Sequence, residues 1–228
     1  MAEQYFSAEP ASKDVRRTLN VTLRGHEATA QVSNGVFSGS RVDLGTSVLL
    51  KHAPEPPLTG DFLDLGCGWG PVGTGVGALY PIALTLAFES PEANVWAVDV
   101  NERALDLTHA NAQANGHTNI HTAQVDESST PLPAENQPAF CETVPSDLTF
   151  DVIWSNPPIR VGKEALHTLL MAWLPKLKVG GAAYLVVQKN LGSDSLIPWL
   201  DDALGEGFTA SKYASSKGFR IIEVRHEI

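Results

Sequence analysis

A doubly wound α/β sheet of seven strands, mostly parallel and ending in an antiparallel hairpin, is the fold predicted by three features of the sequence. From Asp61 onward, short apolar runs alternate with helix-like segments, which is the pattern of βαβ units. A glycine cluster, Gly66-Cys67-Gly68-Trp69-Gly70, stands where the first of those runs meets a helix. The last two apolar runs are joined only by Ser215-Ser216-Lys217-Gly218, too short for a crossover and therefore the mark of an antiparallel pair.

The elements follow in order. Thr18-Leu19-Asn20-Val21-Thr22-Leu23 alternates polar and apolar residues, Arg24-Gly25-His26 offers a turn, and residues 27–33 alternate again. This reads as an N-terminal β-hairpin extension over residues 1–36, ahead of a main domain over 37–228. Residues 44–52 form a short helix that must stop before Pro54. Phe62-Leu63-Asp64-Leu65 is a compact buried strand, and Pro71 suits the first turn of the helix after the glycines. Val95-Trp96-Ala97-Val98 is the second strand, after which Asn101 caps a helix that Gly116 stops. Residues 120–125 make a third strand, and residues 127–149, rich in Pro, Ser and acids, a long loop. Phe150-Asp151-Val152-Ile153-Trp154 is the fourth strand, with a helix over 163–173 and a fifth strand over 182–187 after Gly180-Gly181. Ser193 is the candidate cap of the next helix, and residues 209–214 and 219–225 form the closing pair.

A chain of 228 residues with 43% hydrophobic and 18% charged residues can bury a sizeable core. Two cysteines, Cys67 and Cys141, are too few for a disulfide framework. No basic start followed by an apolar run marks a secretory leader, and the longest apolar stretch, residues 81–88, is too short to span a bilayer. A reduced, cytoplasmic protein with no membrane partner is expected. The formal charge of −10 repels polyanions at long range, so a nucleic-acid partner requires a local basic face. Arg16, Arg17, Arg24, Arg41, Arg160 and Lys163 are its candidates, against the plainer reading of ordinary solvated charges.

The glycine loop reads in two frames. Gly66-x-Gly68-x-Gly70 carries an acid, Asp64, two residues upstream, whereas Gly68-x-Gly70-x-x-Gly73 is a dinucleotide fingerprint. Both frames expect an acid at the end of the second strand to meet ribose hydroxyls, and Asp99 supplies it. Asp64 would be badly placed beside a pyrophosphate but suits the cationic methionyl end of S-adenosylmethionine, and the closing hairpin departs from an all-parallel dinucleotide fold. Cys67 has no His or acid obviously paired with it, so small-residue packing is its expected role rather than nucleophilic attack.

Asn156-Pro157-Pro158-Ile159 decides between the frames. It follows the fourth strand directly, at the same carboxyl edge as the glycine loop, where open α/β sheets place ligands. Two prolines fix the backbone and remove two N–H donors, leaving the Asn156 side-chain oxygen and the Pro157 carbonyl as a wall of acceptors. Two acceptors holding the N–H bonds of a planar amine orient its nitrogen for in-line attack on a methyl group, with no nucleophilic side chain or metal. His117 and His121 flank a strand rather than share a helix face, so no metal is expected there.

These residues resemble the methyltransferase small domain family, specifically the guanine-N2 methyltransferases of the ribosomal RNA small subunit methyltransferase C type and their single-domain relatives. The resemblance runs from about Gly35 to Arg225 through Gly35-Val36-Phe37-Ser38, Asp43-Leu44-Gly45-Thr46, Asp64-Leu65-Gly66-Cys67-Gly68, Asp99-Val100-Asn101, Ser155-Asn156-Pro157-Pro158-Ile159 and Lys217-Gly218-Phe219-Arg220. It implies a Rossmann-like class I S-adenosylmethionine-dependent methyltransferase fold. Asp64, Gly66, Cys67, Gly68 and Gly70 would hold the methionyl part, Asp99 with Val100 the ribose, and Asp126 would sit by the adenine. Asn156 to Ile159 would clamp the target amine, with Asn156 also bordering the cofactor, and the segment around Phe37 and Thr46 would close over it. Phe37, Arg160 and Lys163 would meet an RNA substrate, ribosomal RNA or a ribosomal subunit. Ile159 replaces the aromatic that stacks a flipped base in many amino-methyltransferases, so stacking would fall to another residue such as Trp154 or Phe37. The same loop chemistry also serves glutamine amides of proteins. A small-molecule methyltransferase and a non-catalytic cofactor-binding module are the remaining alternatives.

Overall fold

The computed structural model describes residues 14–33, 42–68, 81–158 and 162–227. Gly35 to Arg41, Trp69, Gly70, the helix expected from Pro71, Ile159 and Arg160 lie outside the described residues. The hairpin is built from β1 (Arg16–Leu23) and β2 (His26–Ser33), and is followed by α1 (Leu44–His52), β3 (Asp61–Leu65) and α2 (Ile82–Glu89). Then come β4 (Asn94–Asp99), α3 (Glu102–Ala114), β5 (Ile120–Gln124), β6 (Phe150–Ser155) and α4 (Lys163–Trp173). The chain closes with β7 (Leu177–Gln188), α5 (Ser193–Leu204), β8 (Phe208–Ser216) and β9 (Phe219–His226).

The main sheet has seven strands in the order β5-β4-β3-β6-β7-β9-β8, parallel from β5 to β7 and antiparallel in the last two pairs. Strands buried on both faces need apolar residues at every position, which is why β3 reads as a near-continuous apolar run. Phe62 joins Val48, Leu49 and Leu86 on one face, and Leu63 joins Leu166, Leu170 and Leu200 on the other. The strand order reverses at β3, whose neighbours are β4 and β6, so the carboxyl ends of β3 and β6 meet at a topological switch point. The Ser155 hydroxyl donates to the Leu65 carbonyl at 2.7 Å and ties those two ends together.

The hairpin forms a separate two-stranded sheet docked on α3. Ala30 and Val32 pack on Ala104 and Leu107, while the Asn111 and Asn115 amides accept from the backbone N–H groups of Gln31 and Thr29 at 2.6 and 2.9 Å. The loop over 127–149 covers the outer edge of β5: Gln137 Oε1 accepts from Gln124 N at 2.8 Å, and Glu142 N donates to the Thr122 carbonyl at 2.7 Å. Covering an edge strand in this way removes a template for unwanted pairing.

Three elements differ from the sequence reading. The fifth strand of the main sheet begins at Leu177, not after Gly180-Gly181, and carries both glycines inside it. A Cβ on Gly181 would lie 2.9 Å from the Lys178 carbonyl oxygen and 3.0 Å from that of Phe150, so the backbones come too close for any side chain. Ser193 is the first residue of α5 rather than its cap; Gly192, in the left-handed region at φ 96°, takes that place. The apolar stretch over residues 81–88, read only as too short for a membrane, lies mostly in α2, six of whose eight residues are buried.

Candidate active site

The glycine loop leaves β3 and folds over the end of β4. Gly66, at φ +78°, and Cys67 both donate their backbone N–H to the Val98 carbonyl, at 2.9 and 3.1 Å. Gly68 N donates to Asp99 Oδ2 at 3.1 Å, and a Cβ there would lie 2.2 Å from the Ala104 Cβ, so only glycine lets α3 approach. Asp99 is buried, its Oδ1 accepting from Asn101 N at 2.8 Å, and burial pushes its pKa up to about 6 against the pull of the surrounding backbone N–H groups. Asp64 is wholly buried. Its Oδ2 accepts from Ala83 N at 2.9 Å at the start of α2, while its Oδ1 has no hydrogen-bond partner among the described residues. Burial, with Asp99 nearby, holds its carboxyl well above the usual range. The Cys67 thiol is also buried and raised by burial, and it accepts from Thr108 Oγ1 at 3.6 Å, which suits packing rather than nucleophilic attack.

A cleft of about 460 Å³ joins the two loops singled out in the sequence, with Gly66 and Asp99 at one side and Pro158 at the other. Val98, Val100, Val125 and Leu169 give it apolar walls. Glu127 lines it too, whereas Asp126 does not stand among its walls. The Asp126 Oδ1 accepts from Ser128 N and Thr130 N at 2.8 and 2.9 Å, so that oxygen is spent on its own turn. Glu127, not singled out in the sequence, is an acid in the cleft wall.

Asn156 sits at the end of β6 with its carboxamide held from one side. Its Nδ2 donates to Asp43 Oδ2 at 2.9 Å and to Thr46 Oγ1 at 3.1 Å, both at the first turn of α1. Asp43 Oδ2 also accepts from Thr46 N at 3.0 Å, the N-cap bond of that helix. No described residue donates to Asn156 Oδ1. Thr46 is wholly buried, and its hydroxyl accepts from Asn156. Pro157 is buried and Pro158 partly so.

Two expectations are corrected here. Trp154 cannot stack on a substrate, because it is 0% exposed and belongs to the core beneath the sheet, with the Arg24 guanidinium 5.6 Å from its ring centre. Arg16 and Arg24 are not a free basic face. Arg16 pairs with Asp14 and Asp106, and Arg24 pairs with Glu89 at 2.6 Å while donating to the Leu50 and Ala53 carbonyls. Lys163 is exposed at the start of α4. Lys189 and Lys217, not singled out in the sequence, are exposed at the end of β7 and in the β8–β9 turn, which Lys189 N joins by donating to the Gly218 carbonyl at 2.9 Å. His121 lies 2.9 Å from Glu142 and stacks on Trp96, while His117 packs edge-on to Phe88. No group of three or more metal-ligating side chains gathers among the described residues, and no described helix is long and apolar enough to cross a membrane.

A family model, methyltransferase small domain, matches residues 27–223, spanning both loops of the cleft. The chain belongs to the methyltransferase small domain family. Its cofactor is S-adenosyl-L-methionine. This methyltransferase small domain protein is 34% identical over 225 residues to uncharacterized protein YbxB of Bacillus subtilis (strain 168), covering 99% of both chains. It is 31% identical over 167 residues to ribosomal RNA small subunit methyltransferase C of Shewanella sediminis (strain HAW-EB3), covering 71% of this chain but 40% of that protein. Its fold is similar to that of the T. thermophilus 16S rRNA N2 G1207 methyltransferase solved with AdoMet and guanosine, at a TM-score of 0.66 and 20% identity over 96% of this chain and 52% of the other. The chain therefore spans about half or less of the length of these two ribosomal RNA enzymes.

Proposed function

We propose that this methyltransferase transfers a methyl group to the exocyclic N2 of a guanine in ribosomal RNA. The observation that carries the reading is the fixed carboxamide of Asn156, whose nitrogen faces Asp43 and Thr46 and whose oxygen has no donor among the described residues. Support for the substrate comes from the names of the two ribosomal RNA enzymes to which the chain is similar.

The residues present fit the cofactor. Asp64, two residues before Gly66, holds a buried carboxylate oxygen with no described partner that a cationic methionyl group would satisfy, and Asp99 offers buried acceptor oxygens for ribose hydroxyls. The apolar walls around Val100 and Val125 suit a flat base, with Glu127 at their rim. S-adenosylmethionine, when bound, would supply an electrophilic methyl group on a sulfonium, its carbon–sulfur bond breaking as the carbon–nitrogen bond forms and leaving neutral S-adenosylhomocysteine. Asn156 Oδ1 and the Pro157 carbonyl accept the two N–H bonds of the guanine amine, which directs the nitrogen lone pair toward that methyl. As the nitrogen gains positive charge, these preorganised acceptors stabilise it, and the surplus proton leaves to solvent. A cytoplasmic location accords with such a substrate.

The test is partition of label. With tritiated S-adenosylmethionine and separate samples of total RNA, ribosomal subunits, free nucleotides and whole-cell protein, label is expected in RNA or subunits. Label confined to protein would favour a glutamine amide instead.

Cofactor affinity should depend on pH. Asp99 has a pKa of about 6 in the free protein, and ribose hydroxyl donors favour its ionised form, so the complex binds fewer protons. Affinity should therefore fall as pH drops below about 6, by up to about one logarithmic unit per pH unit. Asp64, also raised by burial, acts in the same direction, so Asp99→Asn should reduce the slope rather than remove it. Calorimetry between pH 5 and 7.5 checks this, and a constant affinity would contradict the ribose role.

Salt dependence tests the polyanion. Lys163, Lys189 and Lys217 stand exposed where RNA would approach, and each phosphate contact adds about 0.7–0.9 to the slope of log affinity against log salt. The triple change to glutamine should flatten the rise of KM for RNA with salt. A flat profile in the unmodified protein would count against RNA.

A further inference from the structure

We infer that Asp43 is a positioning residue for methyl transfer, orienting and polarising the Asn156 carboxamide through a bridge between residues far apart in the chain. The inference rests on the reading of Asn156 as the amine clamp. A carboxamide presents an oxygen and an NH2 of nearly equal size, and a half-turn about its last bond exchanges them. With the oxygen toward the cleft, Asn156 accepts from an amine. With the NH2 there, it would oppose the amine's own N–H bonds. The chain itself must therefore hold one orientation.

Two acceptors at the start of α1 do this. Asp43 Oδ2 takes an N–H of Asn156 at 2.9 Å, and Thr46 Oγ1, in a residue 0% exposed, takes the other at 3.1 Å. A carboxylate can only accept, so the nitrogen must face it. Asp43 is itself held in place, because the same oxygen accepts the Thr46 backbone N–H at 3.0 Å. The approach is tight. A Cβ on Gly45 would lie 3.0 Å from Asp43 Oδ2, 3.1 Å from a Phe219 ring carbon and 3.4 Å from Asn156 Nδ2. Phe219 of β9 thus backs the same contact, which gives the Lys217-Gly218-Phe219-Arg220 segment a place in the site. Negative charge behind the carboxamide also raises the electron density on Oδ1, and this matters most when the target nitrogen becomes positive. No proton moves along the bridge.

Asp43 also caps α1, and a test must separate the two roles. Serine is a good N-cap but too short to reach Asn156, so Asp43→Ser keeps the cap and removes the bridge. The expected result is a thermal midpoint and a cofactor affinity close to those of the unmodified protein, with kcat down about 10- to 100-fold and KM steady, as for a misplaced reacting group. Asp43→Asn, which keeps an acceptor oxygen without the charge, should lose less. A readout independent of turnover is exchange of the Asn156 side-chain amide protons, assigned by NMR through Asn156→Ala: slow in the unmodified protein and fast in Asp43→Ser. Unchanged kcat and exchange in Asp43→Ser would overturn the inference, as would a kcat loss that only tracks a lowered midpoint. Should Asn156→Ala itself stay active, the clamp reading fails. If Asn156→Ala is inactive and Asp43→Ser active, only the role of Asp43 fails.

Discussion

Asn156→Ala is expected to lower kcat by about 10²–10³ while leaving the affinity for S-adenosylmethionine nearly unchanged, the cost of removing one preorganised transition-state partner. The separation follows from the topology. Asn156 ends β6, whereas Asp64 and Asp99, the acids proposed to hold the cofactor, stand on β3 and β4. The carboxamide nitrogen is already committed to Asp43 and Thr46, so the alanine variant would lose the oxygen proposed to meet the target amine. Asn156→Asp keeps an acceptor oxygen, but brings a second carboxylate against Asp43 in place of a donor. It should retain partial activity and lose part of the α1 contact. Single-turnover rates with calorimetric cofactor affinities check the pair, and an Asn156→Ala variant of near-normal kcat would reduce the loop to a turn.

Trp154→Ala is expected to cost about 3–5 kcal/mol of stability, because the indole is 0% exposed and its removal leaves a large cavity. That is a large fraction of the 5–15 kcal/mol typical of a domain. Trp154→Phe should keep most of the stability and nearly all of the activity. Denaturant unfolding and RNA KM values distinguish this from a stacking role, in which Trp154→Ala would raise KM and leave the unfolding midpoint in place.

Elements whose signal is local were legible in the sequence. The residues 44–52 helix, the compact Phe62 to Leu65 strand and the Asn101 cap, which accepts from Ala104 N at 3.2 Å, all rest on residues a few positions apart. The meeting of the Gly66 loop and Pro158 in one cleft also followed, since both leave the carboxyl ends of neighbouring parallel strands. What escaped depends on pairing across the chain. Asp43 lies 113 positions from Asn156, and its spacing to Thr46 is an ordinary helix cap that carries no sign of a second partner. Arg24 read as a free cation because Glu89 approaches it only in the fold. Trp154 read as available because it stands two residues before Asn156, and only the packing of the fold puts its side chain in the core. The glycines at 180 and 181 read as a break because neither the positive φ of the first, +86°, nor the close backbone approach at the second leaves a trace in sequence.

The most direct measurement is the chemical identity of the methylated product. Ribosomal RNA lacking its base methylations, incubated with the protein and S-adenosylmethionine and then digested to nucleosides, should yield N2-methylguanosine by mass spectrometry, and none with Asn156→Ala. Methylation of a ribose hydroxyl or a ring carbon, or label found only in protein glutamine, would contradict an Asn156 clamp acting on the guanine amine.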